Sequence, residues 1–176
     1  MKYVALLRGI NVGGNNKISM SELKQVFEQA GMEAVSTYIN SGNVIFQSEL
    51  PKIEVTQTLE QAIENKFGFT VKVVTCDEHR LAALAKALPD SWVNDASMKC
   101  DVMFLWENID NPGILQKLTI KPGIDKVRYA PGALLWAVDR KQVTQSGMFK
   151  LVGTDLYKQM TIRNCNTLRK LASLVA

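Results

Sequence analysis

The sequence lacks most of the residues from which metal sites and disulfide frameworks are built. Its 176 residues include one histidine and three widely separated cysteines, Cys76, Cys100 and Cys165. An odd number of distant cysteines, with no CxxC pair, argues against a disulfide framework and favours reduced thiols in the cytoplasm. The nitrogen and sulfur ligands that zinc prefers are too few for a structural site. We therefore predict a cytoplasmic protein with three core thiols, no metal and no cofactor.

Long apolar runs are absent as well. No window approaches the roughly 18 consecutive apolar residues that a membrane span requires. The N-terminal apolar run meets Lys2 and Arg8 too soon for a signal peptide. A composition of 47% hydrophobic and 22% charged residues is that of a globular protein and not of a disordered tail or a fibre. These features predict a protein without a membrane partner.

Positive charge is concentrated near the C-terminus. Residues 140–176 contain 7 Lys and Arg against 1 Asp or Glu, whereas residues 1–139 contain 14 against 16, so a net charge of +4 divides into +6 and −2. Such an asymmetry marks either a surface for an anionic partner or a solvated helix face.

Residues 1–76 show the order strand, helix, strand, strand, helix, strand. A capping box at Ser19 begins the first helical pattern, and a turn containing Ser41 and Gly42 joins the two middle strands. The segments with these patterns are residues 2–8, 19–30, 37–39, 43–47, 51–67 and 70–75. This order predicts a ferredoxin-like half, in which two helices cover one face of an antiparallel sheet.

The second half partly repeats the first. Strand patterns occur at residues 101–106, 125–129 and 134–138, with a short helix at residues 112–118, whereas residues 142–159 have no clean period. We place a connector at residues 89–100, which are polar and irregular. The sequence thus predicts an α+β protein with an N-terminal ferredoxin-like half (1–88) and an irregular ferredoxin-like βαββαβ-type half with a terminal helix (101–176).

The terminal helix is predicted to begin at Ile162, with Thr161 as its cap. Its apolar face comprises Ile162, Cys165, Leu168, Leu171, Ala172 and Val175. Asparagine is a weak helix former because its amide competes with the backbone. Asn164 and Asn166 in the first turn therefore indicate either capping or binding.

Three polar stretches are the candidate sites. The first, residues 8–17, follows a strand and precedes a helix, so that its backbone amides are placed to hold an anion. It contains Arg8, Asn11, Gly13, Gly14 and Lys17 but neither the P-loop nor the dinucleotide fingerprint. The alternative is that its glycines and asparagines only permit positive φ in a long connection.

The other two stretches are a predicted hairpin and the start of the terminal helix. The hairpin carries Ser41 and Asn43, for which a turn rich in side chain to backbone hydrogen bonds is the structural alternative. The helix start carries Arg163, whose planar fork of donors suits carboxylate or phosphate. Its structural alternative is a polar knot that binds loop backbone.

No catalytic constellation is present. His79 follows Asp77 and Glu78, but consecutive helix residues point in different directions, so no relay is implied. There is no Gly-x-Ser-x-Gly elbow. We assign no reaction and no oligomeric state, and whether the protein is an enzyme is left open.

Nucleic acid is the alternative partner. RNA-recognition domains share the βαββαβ order and stack bases on aromatic side chains of an exposed sheet face. Tyr3 and Phe46 are the candidates for such stacking here, although either also suits the core. The basic C-terminal helix would add phosphate contacts.

Three strings in these stretches resemble the bacterial domain-of-unknown-function family 1697. They are Leu6-Leu7-Arg8-Gly9-Ile10-Asn11-Val12-Gly13-Gly14, Ser41-Gly42-Asn43-Val44 and Thr161-x-Arg163-Asn164-x-Asn166-Thr167. The resemblance implies two ferredoxin-like halves and supplies no activity, substrate or catalytic residue. This sequence departs from the family pattern at Cys165, where tryptophan is usual, and at Asn40, where glutamine is usual.

Because the three strings are rich in Asn, Ser, Thr, Gly and Arg, and loops with such side chains are more often functional than packing elements, we expect them to be functional. We predict that they converge on a polar cleft between the halves that recognises a small anionic or amide-bearing ligand. The predicted ligand-binding residues are Arg8, Asn11, Gly13, Gly14, Lys17, Ser41, Asn43, Arg163, Asn164 and Asn166. The remaining alternative is that these residues only hold the protein together.

Overall fold

Each half of the chain forms a four-stranded antiparallel sheet. The computed structural model covers residues 1–176 and divides into two units. Unit 1 consists of Met1–Leu81 with Leu171–Ala176, and unit 2 consists of Ala82–Lys170. The predicted division at residues 89–100 stays a prediction.

Unit 1 has the strand order of a ferredoxin-like fold. Its elements are β1 (Lys2–Leu7), α1 (Met20–Gln29), β2 (Glu33–Tyr38), β3 (Asn43–Gln47), α2 (Lys52–Phe67) and β4 (Val73–Asp77), and α3 (Glu78–Ala87) begins in it. The sheet order is β2-β3-β1-β4, with all neighbours antiparallel. The predicted topology of this half is therefore confirmed.

One face of this sheet packs on α1 and α2. Tyr3, Ala5 and Leu7 alternate along β1 and join the core with Phe27 of α1 and Leu59 of α2. The Ser19 hydroxyl accepts the backbone N–H of Glu22 and so caps α1. The longest helix, α2, has 16 residues, and no helix combines the length and apolar composition that a membrane crossing needs.

Unit 2 repeats the strand order with little regular helix. Its strands are β5 (Met98–Leu105), β6 (Lys126–Ala130), β7 (Ala133–Asp139) and β8 (Met160–Asn164), in the order β6-β7-β5-β8. Its helices are α4 (Met148–Leu151) and most of α5 (Cys165–Val175), together with 3-10 helices at Glu107–Ile109, Pro112–Lys117, Arg140–Gln145 and Tyr157–Gln159. The second half is thus ferredoxin-like and irregular, as predicted.

The predicted start of the terminal helix is wrong. Residues 160–164 form β8, which pairs with β5 from Leu105 opposite Met160 to Asp101 opposite Asn164. These residues therefore pair with β5 as the edge strand of the sheet, and α5 begins only at Cys165. Its cap is Asn164 and not Thr161, since the backbone N–H of Thr167 donates to Asn164 Oδ1 at 3.0 Å.

The carboxylate of Asp125 fixes the irregular segment between β7 and β8. It accepts hydrogen bonds from Trp136 Nε1, the Ser146 hydroxyl and the backbone N–H groups of Lys121 and Gly147. Burial works to raise the pKa of Asp125, but these four hydrogen bonds outweigh it and keep the pKa below its usual value. Gly147 packs closely against the backbone of Thr119, and a Cβ at Gly147 would be 1.7 Å from the Thr119 carbonyl oxygen.

We expect Asp125→Asn to lower the free energy of unfolding by about 3 kcal/mol, because an NH₂ group would then face two of the four donors. The lowered pKa also means that Asp125 stabilises the native state above the pKa of the unfolded chain. That contribution is lost as the pH falls below about 4. Urea unfolding at several pH values measures both effects. The exposed Asp90→Asn is the control, and equal losses in the two variants would contradict the role of Asp125.

Candidate functional site

The glycine-rich segment forms a small hairpin at the end of β1. Val12 and Asn15 form an isolated antiparallel bridge, in which Asn15 N–H donates to Val12 O at 3.1 Å. Gly13 and Gly14 make the turn with φ values of 60° and 78°, a left-handed conformation that favours glycine. The structural alternative, a connection that needs positive φ, therefore accounts for these two glycines.

The side chain of Asn11 holds this loop in shape. Its Oδ1 accepts the backbone N–H of Ile18 at 2.8 Å, and its Nδ2 donates to Ile18 O at 3.0 Å and to Asn40 O at 2.9 Å. Both amide hydrogens and one lone pair are thus used within unit 1. Asn11 ties the loop to the β2–β3 turn, which is a structural role.

The β2–β3 turn has an internal hydrogen-bond network of its own. Asn43 is fully buried, and its Nδ2 donates to Tyr38 O at 2.9 Å and to Ser41 Oγ at 3.0 Å. Gly42 has a φ of 86°, and a Cβ there would lie 2.8 Å from Ile10 Cδ1. Glycine is required at this position because the turn and the loop pack against each other.

Positive charge and backbone donors remain at the loop surface. The N–H groups of Gly13 and Gly14 are solvent-exposed and bond to no protein group. Lys17 is exposed and Arg8 is half-buried at the two ends of the loop. A loop that combines exposed amides with cationic residues suits an anion.

In unit 2, Arg163 lies within the sheet. Its residue is 8% exposed, and its Nη1 donates to Thr161 Oγ1 at 3.1 Å and to Ile162 O at 2.9 Å. Burial lowers the pKa of Arg163 to about 10. Part of its donor fork therefore bonds to its own strand.

The two asparagines near Arg163 have structural bonds. Asn164 caps α5, and Asn166 Nδ2 donates to Asn94 O at 3.0 Å. Asparagine is unfavourable inside a helix, and these bonds account for both residues: Asn164 is the helix cap, and Asn166 bonds to Asn94.

The three cysteines are free and buried, as predicted. Cys165 Sγ lies 3.5 Å from Arg169 Nη1 and 3.7 Å from Trp92 O. A hydrogen bond from Cys100, aided by the Arg169 charge and opposed by burial, lowers the pKa of Cys165 to about 7. The same hydrogen bond and burial raise the pKa of Cys100.

The predicted residues form one group in each unit. In unit 1, the loop carrying Arg8 to Lys17 and the turn carrying Ser41 and Asn43 meet at one end of the sheet. In unit 2, Arg163, Asn164 and Asn166 lie where β8 joins α5. Their convergence on one cleft stays a prediction.

The candidate stacking residues for nucleic acid belong to the core of unit 1. Tyr3 and Phe46 are buried and stack on each other with ring centroids 5.7 Å apart, and the Tyr3 hydroxyl donates to Leu50 O. Arg169 of the basic helix donates to Pro89 O at 3.0 Å. Tyr3 and Phe46 therefore offer no platform for bases.

Sequence patterns missed an apolar cavity in unit 2 that contains an ion pair between Lys99 and Asp101. Residues two apart on a strand share a face, so the pair was visible once residue 99 was assigned to β5. The sequence prediction assigns residue 99 to the connector, whereas the structure places it in β5. No cluster of three His, Cys, Asp or Glu side chains is present that would hold a metal ion.

Comparisons with known proteins give a family and a fold. A family model described as "Protein of unknown function (DUF1697)" matches residues 1–136. The solved structure of the conserved bacterial protein SP0830 from Streptococcus pneumoniae is similar, with a TM-score of 0.86 and 28% sequence identity. The likeness covers 99% of this chain and 98% of that one. None of the curated proteins matches the chain.

Because Asn11 donates two hydrogen bonds to carbonyl groups, we expect Asn11→Asp to lower the free energy of unfolding by about 2 kcal/mol. Asn15→Asp is the matched control, because it makes the same change of charge in the same loop. The Asn15 side chain is exposed and makes no hydrogen bond. Chemical denaturation measures both variants. Equal stability of the two would show that Asn11 does not hold the loop.

Because all three thiols are buried, we expect them to react with iodoacetamide about a hundredfold more slowly in the folded protein than in denaturant. Mass spectrometry of timed samples gives the rate for each cysteine. Rapid modification of any one of them in the folded protein would contradict its burial.

Proposed function

The chain belongs to the DUF1697 family, and we propose that its unit 1 binds a small anionic molecule at the loop of residues 8–17. The family has no assigned activity, so the proposal depends on the chemistry of the loop. We propose no reaction. The free cysteines and the likeness to a bacterial protein support a bacterial, cytoplasmic protein.

The observation that carries the proposal is the pair of unpartnered N–H groups at Gly13 and Gly14 in a loop without negative charge. The first 21 residues contain Lys2, Arg8 and Lys17 but no Asp or Glu. The loop of residues 8–17 therefore offers an anion donors and cations and no carboxylate of its own. Phosphate and carboxylate groups both accept hydrogen bonds from such donors.

The bonds of Asn11 support the proposal in a second way. They hold the loop backbone before any ligand arrives, so binding requires little ordering of the chain. Asn11 is then a positioning residue, and Lys17, Arg8 and the glycine amides are the proposed contacts. The predicted participation of Ser41, Asn43 and the Arg163 group stays part of the proposal from sequence.

The alternative to a small anionic molecule is nucleic acid, an anionic macromolecule. The basic segment 140–176 supports it through charge alone, and the buried Tyr3 and Phe46 add nothing to it. Binding of oligonucleotides with a steep salt dependence would favour this partner over a small anion.

We expect Lys17→Ala to weaken the binding of inorganic pyrophosphate to the protein by fivefold to tenfold, roughly the net value of one solvent-exposed hydrogen bond. Calorimetric titration at constant ionic strength measures the dissociation constant. Lys66→Ala is the control, because it removes an exposed lysine of unit 1 far along the chain from the loop.

Two results would overturn the proposal. One is the absence of pyrophosphate binding by the unaltered protein. The other is an equal loss of affinity in the Lys17 and Lys66 variants, which would indicate attraction to net charge without a site at the loop.

A further inference from the structure

Unit 2 contains a cavity of about 300 Å³ beside its sheet. In unit 1 the connection between β3 and β4 is the 16-residue helix α2, whose Val55, Leu59 and Ile63 are buried. The equivalent connection in unit 2, between β7 and β8, holds only helices of 6, 4 and 3 residues. These short helices leave part of the sheet uncovered, and the cavity lies there.

The walls of the cavity are mainly apolar. Val138 of β7 lies on the sheet side, and Met148, Phe149 and Val152 belong to the irregular segment. Phe149 and Val152 are 57% and 59% exposed. A ligand in the cavity would remove apolar surface of these side chains from water, which is favourable.

The charged part of the cavity is one ion pair, and Ser146 and Tyr157 also line the cavity. Lys99 and Asp101 are two residues apart on β5 and so lie on the same face, with Lys99 Nζ 2.7 Å from Asp101 Oδ2. The Asp101 side chain is 9% exposed and that of Lys99 is 30% exposed. Asp101 thus lies deeper than Lys99.

The Lys99–Asp101 ion pair has further donors and acceptors that bond to no protein group. Asp101 Oδ1 accepts no hydrogen bond from the protein, and the Lys99 ammonium has two further N–H groups. A deeply placed ion pair is stabilised when its remaining donors and acceptors are satisfied. A ligand that offers one donor and one acceptor side by side would satisfy both.

We propose that this cavity binds a small amphipathic molecule whose polar end is an uncharged carboxamide. The amide N–H donates to Asp101 Oδ1, the amide carbonyl accepts from Lys99 Nζ, and the apolar body contacts Val138, Met148 and Phe149. The ion pair has no net charge, so a carboxylate or an ammonium group in the same place would meet one like charge. An apolar pocket with a few polar groups that fix orientation is the usual form of a small-molecule site.

The wall that carries Phe149 is fixed before any ligand binds. Asp125 holds Ser146 and Gly147, which directly precede α4. The site is therefore largely preformed, and little ordering of the wall opposes binding. This site is independent of the loop of unit 1.

The test compares three probes with the same apolar body, namely 4-phenylbutanamide, 4-phenylbutanoate and 4-phenylbutylamine. We expect the amide to bind about tenfold more tightly than either charged probe and to shift the backbone NMR signals of Lys99, Asp101 and Phe149. Titration followed by two-dimensional NMR gives both the affinities and the location.

Variants of the ion pair change which of the three probes binds most tightly. Asp101→Asn leaves a net positive charge, so 4-phenylbutanoate becomes the tightest probe, and Lys99→Gln leaves a net negative charge, so 4-phenylbutylamine does. Either variant alone tests the proposal if the other fails to fold. Asp155→Asn, an exposed change in the same irregular segment, leaves the order of the probes unchanged.

The apolar wall has its own test. Phe149→Ala weakens all three probes about fivefold because each buries less apolar surface. Ile53→Ala, an equally exposed apolar truncation in unit 1, has no effect. Absence of binding by every probe, equal affinities of the three probes, signal changes elsewhere, or an unchanged order in the ion-pair variants would each overturn the proposal.

Discussion

The antiparallel pairing of β5 with β8 determines where the polar residues of unit 2 lie. It places Arg163 opposite Val102 inside the sheet and puts Asn164 at the point where α5 starts. Asp101 stands opposite Asn164 in this register, so the two residues share a face of the sheet. A one-residue shift of β8 against β5 would move Arg163 and Asn164 to the opposite faces, while Lys99 and Asp101 would keep their face because both belong to β5. The cap of α5 therefore depends on this register, and the ion pair depends on the alternation of side chains along β5.

The polar stretches of this chain divide into residues that brace the backbone and residues that face solvent. Asn11, Asn43 and Asn164 use their amides on backbone groups nearby. The backbone N–H groups of Gly13 and Gly14, in contrast, are exposed and bond to no protein group. A sequence stretch rich in asparagine can thus indicate a well-ordered loop. The backbone groups that face solvent in such a loop belong to its glycines.

The sequence predicted the elements whose patterns are local. In unit 1 the capping hydroxyl of Ser19 and the turn at Gly42 marked boundaries correctly, since caps and turns depend on neighbouring residues. The predicted helix start at Ile162 is wrong because this residue fits both a helix face and a strand, and only pairing with β5 decides between them. The cavity was not predictable from periodicity, because it results from a helix that does not form.

Gly147 limits how the wall of the cavity can change over evolution. A side chain there would collide with the carbonyl oxygen of Thr119, so the backbone path into α4 permits no larger residue. Phe149 and Val152, a few residues later, are exposed and free of such limits. Substitutions at Phe149 and Val152 therefore change the rim of the cavity without disturbing the backbone that leads to it, whereas a substitution at Gly147 moves the whole wall.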